Sequence, residues 1–127
     1  GGVIGLDISG VTNSTTIGNP ANDAKVNTID GFATGINLAN SAALHDTIIK
    51  NASTVGLKIN SATATVTIDD HTSNNTNALG IDINAHAATT ITGSTFNLVD
   101  GQTAIQIAAD ANDLNVSTSK FITLQDT

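Results

Sequence analysis

The side chains able to do chemistry are few and scattered. Across 127 residues there are eleven acids, four bases and three histidines. Every acid is Asp and every base is Lys, so Glu and Arg are absent, as are Cys, Met, Trp and Tyr. Two groupings set carboxylates beside an imidazole: Asp69-Asp70-His71, and Asp82 with His86 nearby. Such pairs serve acid–base hydrolysis when two carboxyl groups reach a working separation. Asp110, Asn112 and Asp113 fall within one turn and are hard oxygen donors of the kind calcium takes. Asp110 and Asp113 are therefore the calcium candidates, and no other cofactor is implied. His45, His71 and His86 lie far apart, at unequal offsets in different repeats, which argues against a shared zinc ion.

What is missing narrows the classes. Without thiols there is no disulfide scaffold and no cysteine-ligated metal. A net charge of −7 with no Arg is the wrong electrostatics for nucleic acid, which needs cations against phosphates. No apolar run approaches the roughly 18 residues of a membrane span. The best helix formers are absent or scarce, which disfavours a helical bundle. Disorder fits poorly too, because only 12% of residues are charged and Ile, Leu and Val recur at regular places.

That regularity is a repeat. A small, an apolar, a polar and an apolar residue follow one another in Gly5-Leu6-Asp7-Ile8, Gly35-Ile36-Asn37-Leu38, Gly56-Leu57-Lys58-Ile59, Gly80-Ile81-Asp82-Ile83 and Ala104-Ile105-Gln106-Ile107. The intervals are 30, 21, 24 and 24 residues. Each motif alternates with period two, the pattern of a strand with one buried face. A second alternating stretch follows about ten residues later, as in Thr65-Val66-Thr67-Ile68, Thr89-Thr90-Ile91-Thr92 and Leu114-Asn115-Val116-Ser117. Leu44 and Ile48-Ile49 supply it in the first full repeat, with a shifted phase. A third apolar group contains Phe96 and Leu98, then Phe121, Ile122 and Leu124. Ser, Thr, Asn, Asp and Gly clusters lie between them, as turns require.

Three short strands per repeat predict a parallel β-solenoid. One coil cannot bury its inward face alone, whereas stacked coils place like residues over one another at about 4.8 Å. Leu6, Ile36, Leu57, Ile81 and Ile105 should form one inward column, and Ile8, Leu38, Ile59, Ile83 and Ile107 its neighbour. The residues between them, Asp7, Asn37, Lys58, Asp82 and Gln106, should form an exposed ladder, the candidate binding surface. Ala42, Ala62, Ala87 and Ala111 should pack at a corner.

The Gly-Ile-x-Ile motif with its second and third strands resembles the repeat of right-handed parallel β-helix proteins. That group includes pectin-lyase-like enzymes, phage tailspikes and the adhesive passenger domains of bacterial autotransporters. The resemblance covers 35–127 well and 1–34 loosely. It implies a right-handed winding, in keeping with parallel crossovers generally. It also implies two functional classes. One is a carbohydrate-active or carbohydrate-binding solenoid, with Lys58 as a candidate base between Asn37 and Asp82. The other is a non-catalytic scaffold or adhesin. The absence of Trp and Tyr weighs against a sugar-cleaving cleft, because rings supply stacking surface.

Smaller signals add little. Gly1-Gly2-Val3-Ile4-Gly5-Leu6-Asp7 is similar to a calcium nonapeptide with one residue too many, and no tandem copy follows. Thr63, Thr65, Thr67, Thr90 and Thr92 could belong to an ice-binding array, but Asn115 and Ser117 interrupt it, and Thr is good strand chemistry in its own right. Glycosylation acceptor patterns at Asn13, Asn51, Asn74 and Asn115 arise easily in a chain this rich in Asn, Ser and Thr.

The sequence thus predicts an all-β protein: a right-handed parallel β-helix of about five coils of 21–30 residues, residues 1–127 forming one domain. The chain begins at Gly1 without Met or a signal peptide, which reads as a processed chain, a segment of a longer protein or a stacking subunit. The expected function is a non-catalytic extracellular structural or adhesive solenoid of a bacterial surface or fibre protein. Its expected partners are neighbouring copies or flanking repeats stacked end to end, and host or matrix glycans.

Overall fold

Alternating Ile, Leu and Val positions become strands because each strand can bury one face only by lying on the equivalent strand of the next coil. The computed structural model describes residues 2–22, 24–61, 63–74, 79–84, 87–99, 101–107 and 113–123. The first motif strands are β1 (Ile4–Ile8), β4 (Thr34–Leu38), β7 (Val55–Asn60), β10 (Leu79–Asn84) and β13 (Thr103–Ile107). They pair in that order as sheet A. Sheet B contains β2 (Thr15–Ile17), β5 (Ala42–His45), β8 (Thr65–Asp69), β11 (Ala88–Thr92) and β14 (Leu114–Ser117). Sheet C contains β3 (Asn27–Asp30), β6 (Thr47–Lys50), β9 (Thr72–Asn74), β12 (Thr95–Leu98) and β15 (Lys120–Thr123).

Every neighbouring pair is parallel, and the chain winds as a β-solenoid of about four turns. The expectation of about five coils counted the five strands of each sheet. Five stacked strands enclose four steps, so sheet A is about 19 Å deep along the axis.

The two inward columns of sheet A are those expected from the motif. Leu6, Ile36, Leu57, Ile81 and Ile105 lie in register, and so do Ile8, Leu38, Ile59, Ile83 and Ile107. Ile36, Leu38, Leu57, Ile59 and Ile81 are fully buried. In sheet B the aliphatic column is Ile17, Leu44, Ile68, Ile91 and Val116. Leu44 is therefore in phase, not shifted; the small Ala42 two residues earlier conceals the alternation. Ile48 and Ile49 belong to β6, where Ile49 is buried and Ile48 half-buried. Sheet C adds Ile29, Ile49, Ser73, Phe96 and Phe121 in one column. Phe96 stacks on Phe121 with centroids 5.1 Å apart.

Of the corner alanines, Ala42 sits inside β5 and Ala87 just before β11, both buried. Ala62 and Ala111 lie outside the described residues. The corner between sheets B and C is built differently. Asp46, Asp70, Gly93 and Thr118 follow β5, β8, β11 and β14 directly, with φ of 49°, 51°, 58° and 48°. A single left-handed residue turns the chain at each of these coils, and two of them donate across the stack: Asp46 N–H to Asp69 O and Asp70 N–H to Thr92 O, both 3.2 Å.

Candidate functional site

The five ladder residues occupy one outward column of sheet A. Asp7, Asn37, Lys58, Asp82 and Gln106 are direct register partners in successive strands. Asn37 Nδ2 donates to Asp7 Oδ1 at 3.1 Å, and Ser9 N–H donates to the same oxygen at 3.0 Å. The Ser9 hydroxyl and N–H, with the Asn37 amide, hold the Asp7 carboxyl below the usual carboxylate range. Asn84 Nδ2 donates to Asp82 Oδ2 at 2.8 Å, whereas Asp82 Oδ1 is buried with no partner. Lys58 lies half-buried between Asn37 and Asp82.

The ladder's two carboxylates are three strand steps apart, about 14 Å at the usual spacing. Glycoside hydrolysis needs its two carboxyl groups roughly 5 to 9.5 Å apart. Asp7 and Asp82 are therefore too distant to act as such a pair. The column offers instead a row of amide, ammonium and carboxylate groups on a regular strand spacing.

Asp69-Asp70-His71, contiguous in sequence, is dispersed by the corner. Asp69 faces outward at the end of β8, where Thr92 Oγ1 donates to its Oδ1 at 2.5 Å and His45 Nδ1 lies 3.8 Å from its Oδ2. Here the carboxylate stands between hydroxyl and imidazole. Nucleophile activation requires the imidazole in the middle, so this trio does not activate Thr92. Asp70 takes the left-handed corner position. His71 turns inward and is fully buried.

His71 forms the centre of a buried polar seam that sequence reasoning missed. Its Nδ1 is 2.8 Å from Thr47 Oγ1, its N–H donates to Ser94 Oγ at 3.3 Å, and its ring meets Phe96 edge-on at 6.1 Å. Its Nε2 has no partner. Burial pushes its pKa down to about 4, outweighing the hydrogen bond to the Thr47 backbone, which raises it. A neutral, enclosed imidazole cannot reach a substrate, so the seam is structural. Ser94 Oγ donates to Thr92 O, and Ser119 Oγ to Ser117 O, both at 2.9 Å, while Ser94 N–H donates to Ser119 Oγ at 3.2 Å. The available signal was the serine following the left-handed residue in Gly93-Ser94 and again in Thr118-Ser119.

The remaining candidates do not converge. Asp113 is exposed beside β14, and its carbonyl accepts Thr89 N–H at 2.8 Å; Asp110, Asn112 and His86 lie outside the described residues. Among the described residues no three His or Asp side chains come together as metal ligands, and no cavity opens. Thr67 and Thr90 share an outward column of sheet B, but Thr16, Ala43 and Asn115 complete it, so the threonine array is two residues deep. Of the glycosylation patterns, Asn13 and Asn115 are exposed, Asn51 donates to Asp30 Oδ1 at 2.8 Å, and Asn74 runs into Asn75 and Thr76 outside the described residues. No family model matches the chain, and no curated protein or solved structure does.

Proposed function

We propose that this chain is a non-catalytic extracellular scaffold: a structural or adhesive β-solenoid of a bacterial surface or fibre protein. The observation carrying this reading is that outward polar side chains pair along the stack. Asn37 pairs with Asp7, Asn51 and Lys50 with Asp30, and Thr92 with Asp69. Such pairing spends the polar groups on joining coils, while aliphatic columns supply the hydrophobic stabilisation. In this reading the partners are parallel coils stacked on the open sheet edges, and host or matrix glycans on the outer faces. Antibody against the chain should label intact, unpermeabilised cells of the producing organism. Labelling only after permeabilisation would overturn the surface assignment.

A second reading, glycan recognition or processing on the sheet A ladder, is favoured by Asp82 Oδ1, buried without a partner beside the Lys58 column position. A panel of acidic polysaccharides, offered with and without calcium, separates the two. The scaffold reading expects no cleavage. Turnover abolished by Lys58→Ala or Asp82→Asn would establish the second reading, as would calcium-dependent binding lost in the same variants.

A further inference from the structure

The repeat begins with a small residue in every coil, and the structure shows why. Gly5, Gly35, Gly56, Gly80 and Ala104 precede the first inward residue of β1, β4, β7, β10 and β13. A Cβ at Gly5 would lie 2.8 Å from Gly35 O and 2.5 Å from the Ile29 side chain. At Gly35 it would lie 2.5 Å from Gly56 O and 2.6 Å from Ile49 Cγ2, and at Gly80 2.5 Å from Ala104 O. At all three glycines the carbonyl of the same position in the following coil is an obstacle, joined at Gly5 and Gly35 by the inward isoleucine of sheet C. A methyl group there cannot coexist with a following coil in the same geometry, because the obstructing atom is backbone and carries the ladder.

Ala104 is the one member of the column with a Cβ. We propose that Ala104 closes the β13 edge, so that no further coil, and no second copy of this chain, stacks on it in the register used by the preceding coils. The methyl stands where the next coil's carbonyl must come. A head-to-tail copy would bring Gly5 O to that place and meet the same obstruction. The first-rung edge differs, since a preceding coil with glycine at this position meets Gly5 O without conflict. The proposal rests on the stacked-scaffold reading and sharpens it: the stack has a direction, and its partner at the β1 edge is a glycine-bearing parallel coil, not another copy.

The block is informative because the rest of the end rung is ready to associate. Ile107, Val116 and Phe121 are 46%, 36% and 52% exposed. In the repeating register they would meet Ile8, Ile17 and Ile29 of a following copy, and Gln106 would face Asp7. Open parallel edges of this kind invite pairing unless something obstructs them; a head-to-tail contact, once permitted, propagates into a filament.

Sedimentation velocity of the full chain over a concentration series tests this. Ala104→Gly should lower the concentration at which end-to-end species appear by at least tenfold, while Ala104→Ser, which retains a Cβ, sediments as wild type. Indistinguishable sedimentation of wild type and Ala104→Gly overturns the proposal, whether both associate or neither does. In parallel, Gly35→Ala should raise the unfolding equilibrium constant at least tenfold or abolish folding; unfolding like wild type would show that the column tolerates a methyl, and would overturn the argument equally. Neither readout involves glycans or cell surfaces, so failure here leaves the scaffold reading to its own tests.

Discussion

The buried imidazole of His71 makes the fold sensitive to acid in a calculable way. In the unfolded chain a histidine titrates near 6.5, whereas in the folded state burial holds His71 to about 4. Between these values the unfolded chain binds a proton that the folded chain refuses, so stability falls as pH drops. The difference of about 2.5 units corresponds to about 3 kcal/mol. About 2 kcal/mol of it is gone by pH 5, and little more is lost below pH 4, where both states are protonated. Asp46 and Asp70 at the adjoining corner are common to both proteins, so the measurement is a comparison. His71→Gln removes the titration while keeping a hydrogen-bonding group toward Thr47. Urea unfolding at pH 7.5, 6.0, 5.0 and 4.5, followed by circular dichroism, gives the stability of both proteins. The variant is expected to be less stable at pH 7.5, with the gap closing by about 2 kcal/mol at pH 5. A gap that stays constant across the series would refute the assignment of His71 as a neutral buried group.

Three further expectations follow from particular positions. Ile81→Asp places an unpaired carboxylate at a fully buried point of the sheet A column and should prevent folding, read as loss of the strand signal in circular dichroism; retention of wild-type melting would show that Ile81 does not face inward. Phe96→Ala removes a ring that is fully buried between His71 and Phe121 and should cost about 3 to 5 kcal/mol by denaturant titration. Thr118→Asn should stabilise by about 0.5 to 1 kcal/mol, because Asn tolerates a positive φ better than a β-branched residue, while its side-chain oxygen can still accept from Gly93 N–H, as Thr118 Oγ1 does at 3.2 Å.

The inward columns were legible because their signal is carried by alternation and spacing alone. Five motifs with one apolar–polar–apolar pattern fix the register of sheet A and place Asp7, Asn37, Lys58, Asp82 and Gln106 in one ladder. Sheet B was partly hidden where Ala42 stood in for a larger residue, so that Leu44 looked out of phase. The corner was not legible. Nothing in Asp69-Asp70-His71 announces that three successive residues will face outward, turn left-handed and face inward. That outcome depends on the hydrogen bonds donated between coils, which couple residues more than twenty positions apart. The small residue of the motif was visible too, but its reason, a carbonyl pressing from the following coil, belongs to the stacked structure.

The uniform parallel register also governs how the molecule assembles itself. Each strand's partners lie one coil away, 21 to 30 residues along the chain in sheet A, so hardly any pairing is local. Loop closure must precede the contacts that reward it, which makes the first stacked pair of coils the slow step. Once that pair exists, it is a template: every later coil docks onto a preformed edge. Opening should run the same path in reverse, from the exposed β14 and β15 end toward the enclosed β7 and β10. Amide hydrogen exchange would then display the axis as a gradient of protection, with the longest-lived protons at its middle.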